Sequence, residues 1–492
     1  MRKWYLLLVL CIGMNMCYGQ RNFSEVLEVD SANVNVLNFN LIDSAFHIFS
    51  LFPRVTSNIS SSSITLFDIY NFENSVIELD TFSISINMPL LVEGKKFLYG
   101  KNRGLQKGLE IWDVNKKFEE LESLIIPTKA NYNFPSKPEV ISSNLYLPAY
   151  IAEGEQEYSV ISKVDTSLNV LWTKYLNEEY AYSYLFGIDK SIDDDILATS
   201  NVYVKEERRY YNQLLKLDTS GNVIWEYFNT EELEHGAVSP WFTTLSDSNI
   251  IVSYRVDRFT NDTFRTRGLH FTPYRLIWLD HDGNLIKKKY YVSKRLKRFF
   301  VNKVETGLDD YFFLMGMWDD GEALENKNLL IKLNNQGDSL WHRTYYHPDY
   351  SLDSVGFSIQ DIHEFEDGRI AVLSMISTPY DWNKIWIFIV DSEGNCLTDN
   401  CISEGDVVSM NSYEVTYEQL TLYPNPARDQ IYWNRGLTLR DVSVYDILGR
   451  QVLDQKGAAL QSLDLSILSK GTYFLEGIDK EEQIYRGKFV KQ

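Results

Sequence analysis

Apolar residues along this chain gather in short runs cut by Gly, Asn, Asp and Ser, and no segment sustains a 3.6-residue period. That pattern predicts strands joined by tight turns. It is clearest in Leu217-Asp-Thr-Ser-Gly-Asn-Val-Ile-Trp225-Glu-Tyr227, which reads as strand, turn, strand. Asp218 and Gly221 hold the first and last positions of a type I turn, where those residue types are favoured. Gly221 can take a positive φ without a Cβ clash, so the second strand starts in register through a bulge.

Weaker copies of the unit recur on both sides. Aligned on the residue that opens the turn, they start at Asp68, Asp113, Asp165, Asp218, Asp280, Asn334 and Asp391, spaced 45 to 62 residues apart. Spacing of this order marks a repeat array. An apolar strand precedes each turn, as in Leu276-Ile-Trp-Leu279 and Trp386-Ile-Phe-Ile-Val390. Gly follows three residues on in four copies (Gly221, Gly283, Gly337, Gly394) and Trp seven on in three (Trp172, Trp225, Trp341). Upstream of each turn lies another polar turn and apolar strand, such as Asn249 to Tyr254. A weaker strand precedes that, such as Tyr182 to Ile188. The unit is therefore about four strands, repeated seven times.

The fold this predicts is all-β: a seven-bladed β-propeller with four-stranded blades over residues 20–401, followed by a small Ig-like β-sandwich. The three Trp are expected to fill the space between neighbouring blades. The alternating stretch Phe23-Ser-Glu-Val-Leu-Glu-Val29 is expected to supply the outer strand of the last blade, whose own candidate, Cys396 to Ile402, is poor. Residues 402–420 are polar and acidic and read as a linker. From Thr421 a Pro-rich stretch, Leu422 to Ile431, opens a run of about seven short strands to Gln492.

Composition agrees with a large β core: of 492 residues 44% are hydrophobic, and 32 Tyr and 26 Phe favour strands. Arg2 and Lys3 ahead of the apolar run Trp4 to Ile12 predict a secretory signal over residues 1–19, cut between Gly19 and Gln20. A lipoprotein acylated at Cys11 or Cys17 is the rival reading, but Leu10 and Met16 are not the small residues a lipobox needs. No later run is long enough to span a membrane. Export predicts a disulfide between Cys396 and Cys401. The signal carries two cations and no acid, so its removal takes the net charge from −20 to −22. That argues against nucleic-acid or anionic-membrane partners.

Against this acidity the fifth repeat is locally basic. It carries Arg255, Arg258, Arg265 and Arg267 in an insertion, then Lys287, Lys288, Lys289, Lys294, Arg295, Lys297 and Arg298. A solvated strand face and loop is the plainer reading; the functional one is recognition of an acidic glycan or partner. The acidic groups Asp193-Asp194-Asp195 and Asp319-Asp320-Gly321-Glu322 sit in turns and lack EF-hand spacing, so no cofactor is called for, with calcium the one cation left open. No Gly-x-Ser-x-Gly, His-Glu-x-x-His or P-loop is present. Glycosidase carboxylates drawn from separate blades would leave no local spacing to read.

The last 72 residues resemble the type A C-terminal sorting domain of the type IX secretion system of Bacteroidota. The matching residues are Pro424-Asn425-Pro426 with Asp429, then Tyr445-Asp446-Ile447-Leu448-Gly449-Arg450, then Leu468-Ser469-Lys470-Gly471-Thr472-Tyr473, and the ending Lys488-Phe489-Val490-Lys491. Ser469 stands where family members commonly have Pro. The resemblance implies passage to the periplasm, recognition by the outer-membrane translocon, and release or anchoring to surface lipopolysaccharide. The repeats more loosely resemble Asp-x-x-Gly-Asn-x-x-x-Trp propeller repeats of secreted bacterial proteins and the blades of quinoprotein dehydrogenases. The expectation is an exported cell-surface or secreted binding or scaffold protein with an unidentified extracellular ligand. A propeller enzyme acting on glycans or other extracellular polymers is the alternative.

Overall fold

A computed structural model of the chain describes residues 24–27, 35–42, 45–53, 60–68, 74–78, 86–92, 95–102, 108–114, 120–127, 132–135, 138–153, 156–178, 180, 182–205, 209–233, 241–245, 249–255, 274–293, 298–319, 326–350, 355–377, 384–405, 410–434, 436–446, 451–481 and 483–492. Every regular element among them is a strand. The chain divides into two compact units, residues 1–88, 314–332 and 339–407 in the first, and 89–313, 333–338 and 408–492 in the second.

In the first unit, Asn35–Ile42, Ala45–Pro53, Ser60–Asp68 and Asn74–Glu78 form one antiparallel meander. Gly356–Glu364, Ile370–Ser377 and Lys384–Val390 form another. Its fourth strand comes from the other end of the chain: Ser24–Leu27 pairs antiparallel with Lys384–Val390, Ser24 opposite Phe388 and Leu27 opposite Ile385. This is the strand expected from the alternation of Phe23 to Val29. It leaves the edge of Lys384–Val390, whose residues 385–390 are fully buried, covered rather than open. Beyond Val390 the chain turns at Asp391–Asn395, is bridged Cys396 to Cys401, and pairs as Ile402–Gly405 with Ser339–Tyr346.

The second unit repeats the four-strand meander. Tyr182–Lys190, Ile196–Val204, Arg209–Leu217 and Val223–Leu233 make one, and Trp241–Thr244, Ile250–Arg255, Tyr274–Leu279 and Leu285–Ser293 the next. The turn between the third and fourth strands is built by its Asp. Asp218 Oδ1 accepts the backbone N–H of Ser220 and Asn222, Asn222 Nδ2 donates to Asp218 Oδ2, and Gly221 N–H closes onto the Asp218 carbonyl. Asp280 and Asp391 do the same in their repeats. Gly221, Gly283, Gly337 and Gly394 all have φ between 78° and 80°. The third repeat has Leu168 there instead, at φ 59°, held by burial in the core.

The Trp of each such unit reaches the next turn. Its indole N–H donates to the carbonyl of the residue after the turn-opening one: Trp172 to Thr219, Trp225 to His281 and Trp341 to Ser392, at 3.2, 2.9 and 2.9 Å. In the fifth repeat position +7 is Lys287, yet the contact survives. Cross-strand partners Lys163/Trp172 and Lys216/Trp225 are exchanged there to Trp278/Lys287. Trp278 donates to the Asn335 carbonyl at 2.8 Å, and Lys287 Nζ lies 4.6 Å from the Trp278 ring centre. The rings pack under the turn glycines, so a Cβ on Gly283 would stand 2.6 Å from Cδ2 and Cε3 of Trp225. Glycine is needed there twice, for its backbone angle and for the ring beneath it.

Residues 402–420 are not an unstructured linker: they hold strands Ile402–Gly405 and Met410–Gln419. Tyr413, Val415 and Tyr417 alternate inside the polar stretch, which is a strand period. Met410–Gln419 pairs antiparallel with Leu285–Ser293 and parallel with Ile484–Lys491. One nine-stranded sheet therefore runs from Trp241–Thr244 to Gln451–Leu460. Residues 421–492 carry strands Gln430–Tyr432, Leu439–Asp446, Gln451–Leu460, Ser462–Asp464, Gly471–Ile478 and Ile484–Lys491 around a core containing Ile431, Trp433 and Phe489. Their Pro-rich start makes only isolated bridges, Tyr423 to Tyr432 and Ala427 to Lys491, because Pro424 and Pro426 have no N–H to donate.

Two outcomes follow for stability. A chain starting at Ser31, lacking Ser24–Leu27, should melt about 5 °C or more below one starting at Gln20, and an unchanged Tm would show that the strand does not close the last meander. Gly283→Ala should cost about 2 kcal/mol or more in urea unfolding, from the positive φ and the Trp225 ring together.

Candidate functional site

The strand Leu285–Ser293 presents lysines to both of its sides, because successive side chains alternate. On one side Lys287 Nζ donates to the Gln336 carbonyl at 3.0 Å and Lys289 Nζ meets Asp338 Oδ1 at 2.6 Å. Tyr291 OH donates to the Gly337 carbonyl there at 2.7 Å. These groups tie the strand to the 334–338 turn. Lys288 points the opposite way. It is 4% exposed, and its Nζ lies 5.8 Å from the Tyr417 ring centre.

On that side other cations gather. Arg275, 1% exposed, sits 5.9 Å from the Tyr290 ring centre. Arg486, from the last strand, stacks 5.0 Å from the Tyr417 ring centre, and its Nε donates to Glu476 Oε2 at 2.8 Å. Burial, and then the nearby Arg486 and Arg275, hold Lys288 well below the usual lysine range, with Glu476 opposing. Burial likewise lowers Arg275. Burial works against the Arg486 charge too, but Glu476 and Tyr417 outweigh it and raise that group.

Beside these groups a cavity of about 260 Å³ opens, lined by Trp225, Glu226 and Tyr227 of one meander, Asp280 to Ile286 of the next (His281 excepted), Tyr417 and Gln419 of the shared strand, and Phe474, Arg486, Gly487 and Lys488 of the last two strands. Its acids are partly engaged: the Asp280 carboxylate accepts its own turn's amides, and Gln213 Nε2 donates to Glu226 at 3.3 Å. The cavity thus combines aromatic surface with Arg486 and Lys488 as cationic contacts. Sequence reasoning missed Arg275, Tyr417 and Arg486. The available signal was the Lys287-Lys288-Lys289 run itself, since a strand must send its middle lysine to the other side.

Of the other residues singled out from sequence, Gly19, Gln20, Arg258, Arg265, Arg267, Arg295 and Gly449 lie outside the described residues. Arg255 ends the strand Ile250–Arg255 and Arg298 begins Arg298–Thr306. Of the acidic turns, Asp193 and Asp195 meet Lys216 Nζ at 2.6 and 3.6 Å, and Asp194 pairs with Lys190. Residues 320–322 of the second acidic turn are outside the described residues. Among the described residues no three His, Cys, Asp or Glu side chains gather as a metal-ligand set. No helix among them is long and apolar enough to cross a membrane.

The sorting motif has a clear local logic. Between two prolines that cannot donate, the Asn425 side chain stands in for a backbone. Its Nδ2 donates to the Lys488 carbonyl at 3.1 Å and its Oδ1 accepts Val490 N–H at 3.0 Å. Ala427 N–H and Gln492 N–H complete the join at 2.7 and 2.8 Å. Tyr473 stacks on Phe489 with ring centres 5.6 Å apart, and its OH donates to the Ser469 carbonyl beside Gly471.

Lys288→Met should stabilise the protein by about 1–2 kcal/mol at neutral pH, because it removes a buried cation set beside two others. The folded-state pKa of Lys288 is depressed, so between that value and 10.5 the unfolded chain binds more protons and stability rises with pH. The advantage of Lys288→Met should therefore fade as pH approaches 10.5, which denaturant titrations across pH would read.

Among curated proteins none matches the chain. Similar solved structures include polysaccharide lyase Uly1, at 9% identity and TM-score 0.46 over 76% of this chain and 93% of that one. They also include the β-propeller domain of the Trilobed protease from Pyrococcus furiosus, at 13% identity and TM-score 0.42 over 75% of this chain and 99% of that one. A third is endo-arabinase from Bacteroides thetaiotaomicron, at 9% identity and TM-score 0.32 over 62% of this chain and 93% of that one. Residues 421–492 match the family described as the secretion system C-terminal sorting domain. With Asn425 knitting the two ends of this segment together, residues 421–492 are a type IX secretion C-terminal sorting domain, and the chain that carries them is an exported protein.

Proposed function

We propose that this is a secreted or cell-surface binding protein whose residues 20–401 form a seven-bladed β-propeller. A signal over residues 1–19, cut between Gly19 and Gln20, would deliver it to the periplasm. The Ig-like tail over 421–492 would then hand it to the type IX outer-membrane translocon, for release or for anchoring to surface lipopolysaccharide. The observation that carries the propeller reading is the indole contact passed from each unit to the next turn, together with the strand Ser24–Leu27 added to the last meander. Contacts that repeat in this way suit a rigid scaffold that presents loops. Binding is favoured over catalysis because the turn motifs are accounted for by backbone geometry and packing.

Two experiments test this reading. In a type IX-competent host, Asn425→Ala should destabilise the tail by about 1–3 kcal/mol and leave the protein in the periplasm. Surface display at the native level would contradict the role given to that join. The intact protein should bind an extracellular polysaccharide on an array without degrading it, whereas turnover of the bound polymer would replace binding with the enzyme reading.

A further inference from the structure

One sheet of the second unit carries a run of tyrosines that the turn motif does not use. The sheet includes Asn144–Glu153, Gln156–Val164, Tyr182–Lys190, Ile196–Val204 and Arg209–Leu217. Register sets Tyr182 opposite Tyr203 and Tyr203 opposite Tyr210, so these three share a side. Tyr184 shares it too, because alternate residues of a strand face the same way. Ring centres lie 5.4 Å apart for Tyr182 and Tyr203, 4.8 Å for Tyr203 and Tyr210, and 6.2 Å for Tyr184 and Tyr210. Tyr150 extends the run, with its ring centre 5.2 Å from that of Tyr184. All five are partly exposed. Tyr182 and Tyr210 stand at the start of their strands and Tyr203 near the end of its own, far from the Asp218 turn. A carboxylate stands among the rings. Burial first, and then Glu157, raises the hydroxyls of Tyr150 and Tyr184, as an acid beside both would. Glu157 Oε2 is enclosed and accepts no hydrogen bond among the described residues. An enclosed charge is poorly screened, so it acts strongly on its surroundings. The faces of the rings are electronegative as well. Acid and rings therefore favour one sign of ligand charge, and the chain's net charge of −20 favours the same sign at long range.

We propose that this tyrosine face binds a weakly hydrated organic cation, a quaternary ammonium group, with Glu157 as its counter-charge. A cation is attracted to a Tyr face within about 6 Å of the ring centre, and more strongly as water is excluded. Rings set 4.8 to 6.2 Å apart let one trimethylammonium group meet more than one of them. Such a group has no N–H to donate, so it needs charge and aromatic surface rather than an aligned acceptor. A primary ammonium holds its water more firmly and would have to surrender it at the rings. This goes beyond the binding-protein reading above and does not depend on a polysaccharide ligand.

The test is calorimetric titration of the intact chain with choline, with ammonium, and with the neutral alcohol in which a tert-butyl group replaces the trimethylammonium. Choline should bind at least about tenfold more tightly than either of the others. Glu157→Gln, which keeps the side chain's shape, should weaken choline about tenfold with Tm little changed. Tyr203→Leu should weaken it as well, while Tyr203→Phe, which keeps the ring face, should retain it. Equal binding of the neutral alcohol would overturn the proposal, as would choline affinity untouched in both Glu157→Gln and Tyr203→Leu. A neutral polysaccharide whose binding is weakened by Tyr203→Leu and Tyr203→Phe alike would assign the face to sugar hydroxyls and overturn it too. A folded chain that binds a polysaccharide and refuses choline would remove this proposal and leave the binding function standing.

Discussion

The contact on which the repeat structure depends is an indole N–H given to the backbone of the following turn. Each of the described turns opened by Asp218, Asp280, Asn334 and Asp391 is closed by its glycine N–H, and the carbonyl of the residue after the opening one accepts an indole N–H. The preceding Trp supplies the donor and slides its ring beneath the glycine. Geometry, hydrogen bonding and packing are thus met by one side chain, so the residues of the turn motif are coupled to those of its neighbour. The exchange of Trp and Lys between the paired strands at Trp278 and Lys287 makes the point most clearly. The indole changes strands, and the donated hydrogen bond to the next turn is kept. Earlier in the chain, Lys95 Nζ donates to the Thr166 carbonyl at the equivalent place, as Lys163 Nζ does to Thr219 beside the Trp172 indole.

The sorting domain is attached by the same kind of physics rather than tethered by a loose segment. Met410–Gln419 lies between Leu285–Ser293 and Ile484–Lys491, so both meet one strand through backbone hydrogen bonds. That join needs no particular side chains, which explains why its sequence is so polar. What is particular is the buried charge around it. Arg486 pairs with Glu476 and stacks on Tyr417, and burial lowers Lys288 and Arg275 on the same side of the strand.

Much of the fold was legible. The Asp–Gly spacing located turns, and the alternation of Phe23 to Val29 located the strand that completes the last meander. Three things were not. Residues 402–420 read as a linker by their polarity, which masks the strand alternation of Tyr413, Val415 and Tyr417. The tail's prolines hid the fact that Asn425 does a backbone's work. The basic run of the fifth repeat read as one patch, although strand alternation divides it: Lys287 and Lys289 bind a turn, and Lys288 turns the other way, toward Tyr417. Arg486 lies some 200 residues from Lys288, a pairing that no local pattern can reveal.

The central claim is that each turn glycine and the preceding Trp form one energetic unit. A double-mutant cycle between Trp225 and Gly283 tests it most directly, by urea unfolding of the two single variants to Ala and of the pair. If the ring lies under the glycine, the cost of the Ala at 283 should fall by about 1–2 kcal/mol once Trp225 is Ala, leaving the cost of the positive φ alone. Strictly additive costs would show that the two residues act independently, and would contradict the account.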